Sequence, residues 1–285
     1  MTRVREKTPR GEMPFLDHLE ELRWRIFKAA GSLVIGAVAG FWLIQRFEVL
    51  ELLIAPVVQY LPDGKLNVFN PVTPFFFLLK TSVLIGIVLA LPIIVYQIWA
   101  FLSPALEKRE KQLVVPGLYG GFVLFAAGVW LAYRFALPVS LRFLFSIQSD
   151  LLVATLGADE YLSFVVRLLV AFGVIFELPV VVLILSVMGL VTPAFLRSKR
   201  RHAIVIITIV ASLLSPGDVL VVTAIMMAPL ILLYELSIWI SVFVHRRRRD
   251  VPEPTIRAPE PPSTSVSLGD DEDGGDDAGD DEGDR

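Results

Sequence analysis

Apolar residues along this chain gather into long runs instead of alternating or recurring singly at helical spacing. Six runs stand out, at residues 26–44, 75–98, 113–136, 161–188, 203–214 and 219–244. A helix crossing a bilayer needs about 20 mostly apolar residues, and five of the runs meet or approach that length. The fifth run has only 12 residues, about 18 Å of helix. It is read as a short span that thins the bilayer locally, followed by the turn signal Ser215-Pro216-Gly217-Asp218. The intervening stretches 45–74 and 137–160 carry apolar groups (Val49, Leu50, Leu52, Leu53; Leu141, Phe143, Leu144, Phe145) that predict short helices on the outer bilayer surface. Pro92, Pro116, Pro179 and Pro229 lie inside runs and bend their helices. The pattern predicts an all-α polytopic membrane protein with six transmembrane helices in a concave bundle.

Charge placement supplies the orientation. Lys and Arg number six in residues 1–25, three in 99–112, four in 189–201 and four in 246–249, against two in 45–74, one in 137–160 and none in 215–218. Seventeen against three, in strict alternation, places the N-terminus, the second and fourth loops and the C-terminus in the cytoplasm. Residues 250–285 hold 13 of the 29 acids and are rich in Pro, Gly and Asp, which predicts a disordered acidic cytoplasmic tail after a membrane domain of residues 1–249. Only 19% of the chain is charged and 55% is apolar, a composition that excludes a soluble enzyme. There is no cysteine, the three histidines share no ligand spacing, and no nucleotide-binding or hydrolase motif occurs, so no metal, cofactor or catalytic residue is expected.

Several polar residues sit inside the apolar runs. Glu177 lies 16 residues into a 28-residue run, near the bilayer centre, where a carboxylate is costly and is a functional candidate by default. Pro179 predicts a kink beside it. Glu235, in the last run, is a second candidate buried acid about 15 Å from the positively charged end. Lys80 and Arg167 lie near span ends and can snorkel outward. Taken alone, Glu177, Glu235 and bent helices also fit a proton-coupled secondary transporter using Glu177, although the two halves show no internal repeat.

The ordered set of motifs carries more information. FLDHLEELRWR at 15–25, PIIVYQIWAFLSPALEKRE at 92–110, YLSF at 161–164, AFGVIFELPV at 171–180 and LLSPGD at 213–218 together resemble the TatC family, the receptor subunit of the twin-arginine translocase of the bacterial cytoplasmic membrane. The resemblance implies a non-enzymatic receptor that binds signal peptides bearing paired arginines. The resemblance further implies assembly with TatA-type and TatB-type single-span subunits in an oligomeric complex, with export of folded precursors driven by the proton motive force. It assigns Glu21 and Glu110 as carboxylates facing the twin arginines, with Gln97 and Phe101 beside them. Glu177 becomes the acid exposed to partner helices within the membrane. Arginine's planar fork of donors suits paired carboxylates in a way that lysine does not reproduce. Two departures are plain: Val222 stands where relatives often carry a polar residue, and the acidic tail has no usual counterpart.

Overall fold

The computed structural model describes residues 15–61, 63–106, 108–146, 156–215 and 221–249. Its compact unit of residues 1–249 is built from ten helices among the described residues; the second unit, Asp250–Arg285, where the acidic tail is expected, lies outside them. In chain order the helices are α1 (Phe15–Arg46), α2 (Val49–Val58), α3 (Thr73–Leu102), α4 (Lys108–Leu131), α5 (Leu137–Ser146), α6 (Ala158–Phe176), α7 (Leu178–Val187), α8 (Pro193–Ser198), α9 (Arg200–Leu214) and α10 (Val221–Arg249). Five segments are long and apolar enough to cross a membrane: Asp17–Arg46, Thr73–Leu102, Val114–Ser146, Ala158–Val187 and Val222–Arg246. The short fifth run is α9, with 15 residues.

Two stretches depart from the sequence reading. The third span does not stop at Ala136: a π turn at Ala132–Ala136 joins α4 to α5, and the helical path runs on to Ser146. The wide turn lies just before Pro138, which has no amide to give an α-helical ladder, and the Leu137 amide reaches back to the Ala132 carbonyl. The short helix expected in 137–160 is α5, joined to α4 through this turn instead of separated from it by a loop. In the fourth span the expected kink is a one-residue interruption of the helix. Glu177 closes α6 by donating its amide to the Val174 carbonyl at 3.1 Å, and α7 starts with Pro179 at its second position.

Glycines set the close helix contacts. On α1, Gly36 and Gly40 lie against α3 so tightly that an added Cβ would come within 2.6 Å of the Gly86 or Ser82 carbonyl oxygen. Gly86 meets the backbone of Ala37 in the same way. This seam is the main attachment of α1, whose Val34, Ile35, Val38 and Trp42 remain exposed as a lipid-facing stripe. Further along, α3 packs on α6, α4 on α6 and α7, α7 on α10, and α10 on α9. The best-buried layer centres on α6, where Leu162, Val165, Leu168 and Phe172 are almost wholly enclosed.

Hydrogen bonds at one end fasten α2 to this core. Pro56 inside α2 has no amide, so the Leu52 carbonyl loses its helical donor; the Tyr133 hydroxyl donates to it at 2.6 Å. The buried Tyr161 hydroxyl donates to the neighbouring Leu53 carbonyl at 2.7 Å. The segment following α2 is pinned to the start of α6, because the Asn67 amide donates to the Leu156 carbonyl and the Ala158 amide donates to the Asn67 carbonyl.

Candidate functional site

The amphipathic start of α1 runs directly into its membrane segment as one helix, which brings the Glu21 end beside the last turn of α3. Glu21 and Arg25 are one turn apart, and the Arg25 Nε donates to Glu21 Oε1 at 2.9 Å with a second guanidinium nitrogen on the same oxygen. The other oxygen, Oε2, is buried and has no hydrogen-bond partner; His18 Nδ1 is 3.8 Å away, beyond bonding distance. The His18 ring stacks on Phe101 with centroids 4.4 Å apart and planes 18° apart. Gln97, half-buried, is one turn before Phe101 on α3. Glu21 and Phe101 thus belong to one cluster, joined through His18. Glu110 is the third residue of α4, and its side chain lies outside the described residues.

Sequence reasoning did not single out His18 or Arg25. The i, i+4 spacing of Glu21 and Arg25 was the available signal for their pair. Nothing in the one-dimensional pattern announced a ring stack between residues 83 positions apart.

Glu177 occupies the junction of α6 and α7 and turns toward α4. One carboxyl oxygen, Oε2, lies over Gly121, where an added Cβ would be 2.7 Å from it; the other, Oε1, is buried without a hydrogen-bond partner. The acid thus forms no ion pair among the described residues.

Glu235, Lys80 and Arg167, three other charged residues inside the runs, each have a hydrogen-bond partner. Glu235 is not a lone buried acid: it accepts from Arg200, the first residue of α9, at 2.7 Å, and its side chain keeps 39% of its exposure. Tyr234, next to it, donates to the Leu196 carbonyl of α8 at 2.7 Å, so the two neighbours hold α8 and α9 against α10. Lys80 donates to Asp159 Oδ1 at 2.6 Å and to the Ser163 hydroxyl at 2.8 Å. Arg167 Nε donates to the Ser163 carbonyl one turn back at 3.0 Å.

The family model for the Sec-independent protein translocase protein (TatC) matches residues 17–229. The chain belongs to the TatC family. The Sec-independent protein translocase protein TatC of Aquifex aeolicus is 38% identical over 242 residues, covering 84% of this chain and 99% of that relative. The TatC of Escherichia coli K12 is 35% identical over 233 residues, with 81% and 88% covered. A crystal structure of the twin-arginine translocase receptor TatC aligns with a TM-score of 0.69 at 38% identity, covering 80% of this chain and all of that one. Membership makes this chain a multi-pass membrane protein and a non-enzymatic component of the twin-arginine translocase, working with other subunits of that system. It displaces the proton-coupled carrier reading, which rested on Glu177, Glu235 and bent helices.

Proposed function

We propose that this chain is the receptor subunit that binds twin-arginine signal peptides at the face formed by the start of α1, the end of α3 and the start of α4. In this reading Glu21 and Glu110 accept the two guanidinium groups, while Gln97 and Phe101 line the approach. The chain crosses the bacterial cytoplasmic membrane six times, with α9 as the short fifth crossing and both termini cytoplasmic. It assembles with TatA-type and TatB-type subunits, and the proton motive force drives export. Glu177 serves as the polar contact for a partner helix or the signal's apolar segment inside the membrane.

The observation that carries the reading is the buried, unpartnered Oε2 of Glu21 beside the His18–Phe101 stack. Arg25 holds one oxygen of that carboxylate and leaves the other as an open acceptor. A guanidinium arriving there gains a charge-assisted bond of about 1.5–3 kcal/mol when water is excluded, whereas an exposed pair contributes only about 0–1 kcal/mol. Selectivity for arginine over lysine follows from the fork geometry.

The test is binding of a twin-arginine signal peptide to the full chain in nanodiscs, with a twin-lysine peptide as control. Glu21→Gln and Glu110→Gln should each weaken twin-arginine binding about tenfold, the loss of one such bond, and narrow the gap to the twin-lysine peptide. Unchanged affinity in a correctly inserted double variant would refute the assignment.

A further inference from the structure

We infer that Gly121 is the positioning residue for the Glu177 carboxyl: its missing side chain makes the notch in α4 that holds the acid where it meets a partner. The inference rests on the reading that Glu177 takes part in transport, and it adds a residue to which no role has been given.

The break at Glu177 comes first. Because Pro179 has no amide, the helix interrupts itself, and the Glu177 side chain leaves the junction toward α4. On α4, Gly117 and Gly121 are one turn apart and share a face. A Cβ at Gly117 would fall 2.0 Å from Leu183 Cδ2, and one at Gly121 would fall 2.7 Å from Glu177 Oε2 and 3.1 Å from Val180 Cγ2. Residues of α7 therefore lie along a groove that exists only because two α4 positions have no side chain. Gly120, the adjacent residue, has nothing within 4 Å of its added Cβ, so the closeness belongs to one face and not to the helix as a whole.

The electrostatic situation makes the position matter. A buried carboxyl oxygen without a partner is costly, and its companion oxygen rests on backbone. The acid is thus held by shape, with an acceptor still unsatisfied. A methyl at residue 121 must push the carboxyl aside, whereas shortening residue 177 by one methylene draws the oxygens back from the notch.

The experiment uses the full chain with its partner subunits in inverted membrane vesicles and a twin-arginine precursor, at matched levels of inserted protein. Gly121→Ala should slow export about tenfold, the scale of losing one charge-assisted contact, while Gly120→Ala leaves it unchanged. Combining Gly121→Ala with Glu177→Asp should return export to the level of Glu177→Asp alone, and Gly121→Ala should add nothing in a Glu177→Ala background. A loss that Asp fails to rescue and that adds to Glu177→Ala would assign Gly121 to packing on Val180 and overturn the inference. A second readout does not depend on transport: the infrared band of the Glu177 carboxyl, identified by its disappearance in Glu177→Gln, should shift in Gly121→Ala and stay put in Gly120→Ala. An unshifted band overturns the inference whatever export does. Wild-type export by Glu177→Ala, with a shifted band, would instead remove the role of Glu177 and leave the positioning intact.

Discussion

Replacing Tyr133 with Phe removes one hydroxyl and nothing else from the contact with α2. The Leu52 carbonyl, already deprived of a helical donor by Pro56, would then have no protein partner. Leaving a buried carbonyl unpaired costs about 1–3 kcal/mol. Leu52 is 58% exposed and Tyr133 is only half-buried, so the cost belongs at the lower end, about 1 kcal/mol. That energy raises the open population of α2 about fivefold. Hydrogen exchange read by mass spectrometry on the purified chain in nanodiscs, following the peptide over 49–58, measures it directly. The reasoning also fixes a coupling. Pro56→Ala returns an amide to the ladder, so Tyr133→Phe should have much less effect in that background, giving an interaction energy of about 0.5–1 kcal/mol. Equal acceleration by Tyr133→Phe with and without Pro56 would refute the account of the freed carbonyl.

Two further outcomes are expected. Gly86→Ala places a methyl 2.5 Å from the Ala37 amide nitrogen, which no rotamer relieves, so the α1–α3 seam must part and thermal unfolding of the purified chain should fall by about 1–3 kcal/mol of stability, while Gly31→Ala, in open space, should not fall. For orientation, the natural absence of cysteine allows single-cysteine variants directly: Asn67→Cys should react with an impermeant thiol reagent added outside the cell and Ser267→Cys should not, and the reverse pattern would sink the six-crossing arrangement.

The five long spans were legible because a bilayer imposes a length and a composition that a single chain must meet by itself. Their ends were less so. The third run was ended at Ala136, because a π turn that carries the helix on past that point leaves no mark in hydropathy. The break at Glu177 was readable in outline, since a proline's missing amide is a local matter. Glu235 was read as a second buried acid, whereas its side chain is 39% exposed and its partner, Arg200, lies 35 residues away on another helix. The same limit explains why the His18–Phe101 stack and the tyrosine bonds to α2 escaped notice: each joins residues distant in sequence, and their meeting is decided by packing. The α1–α3 seam was hidden in another way, because a glycine inside a span reads as a weak helix former until the opposing backbone is placed against it.

The continuity of α1 has a mechanical side. Glu21 stands 15 residues before Gly36, the first glycine of the seam that holds this helix to α3, so the carboxylate lies about 22 Å along one helix from that seam, with the His18–Phe101 stack as a second contact near its far end. A rigid tilt of α1 by about 5° about Gly36 would sweep Glu21 through about 2 Å, more than the tolerance of a hydrogen bond. Such a tilt would be felt first at Glu21 and at the His18–Phe101 stack, and a load on Glu21 would be passed back along the same rod to the glycine seam.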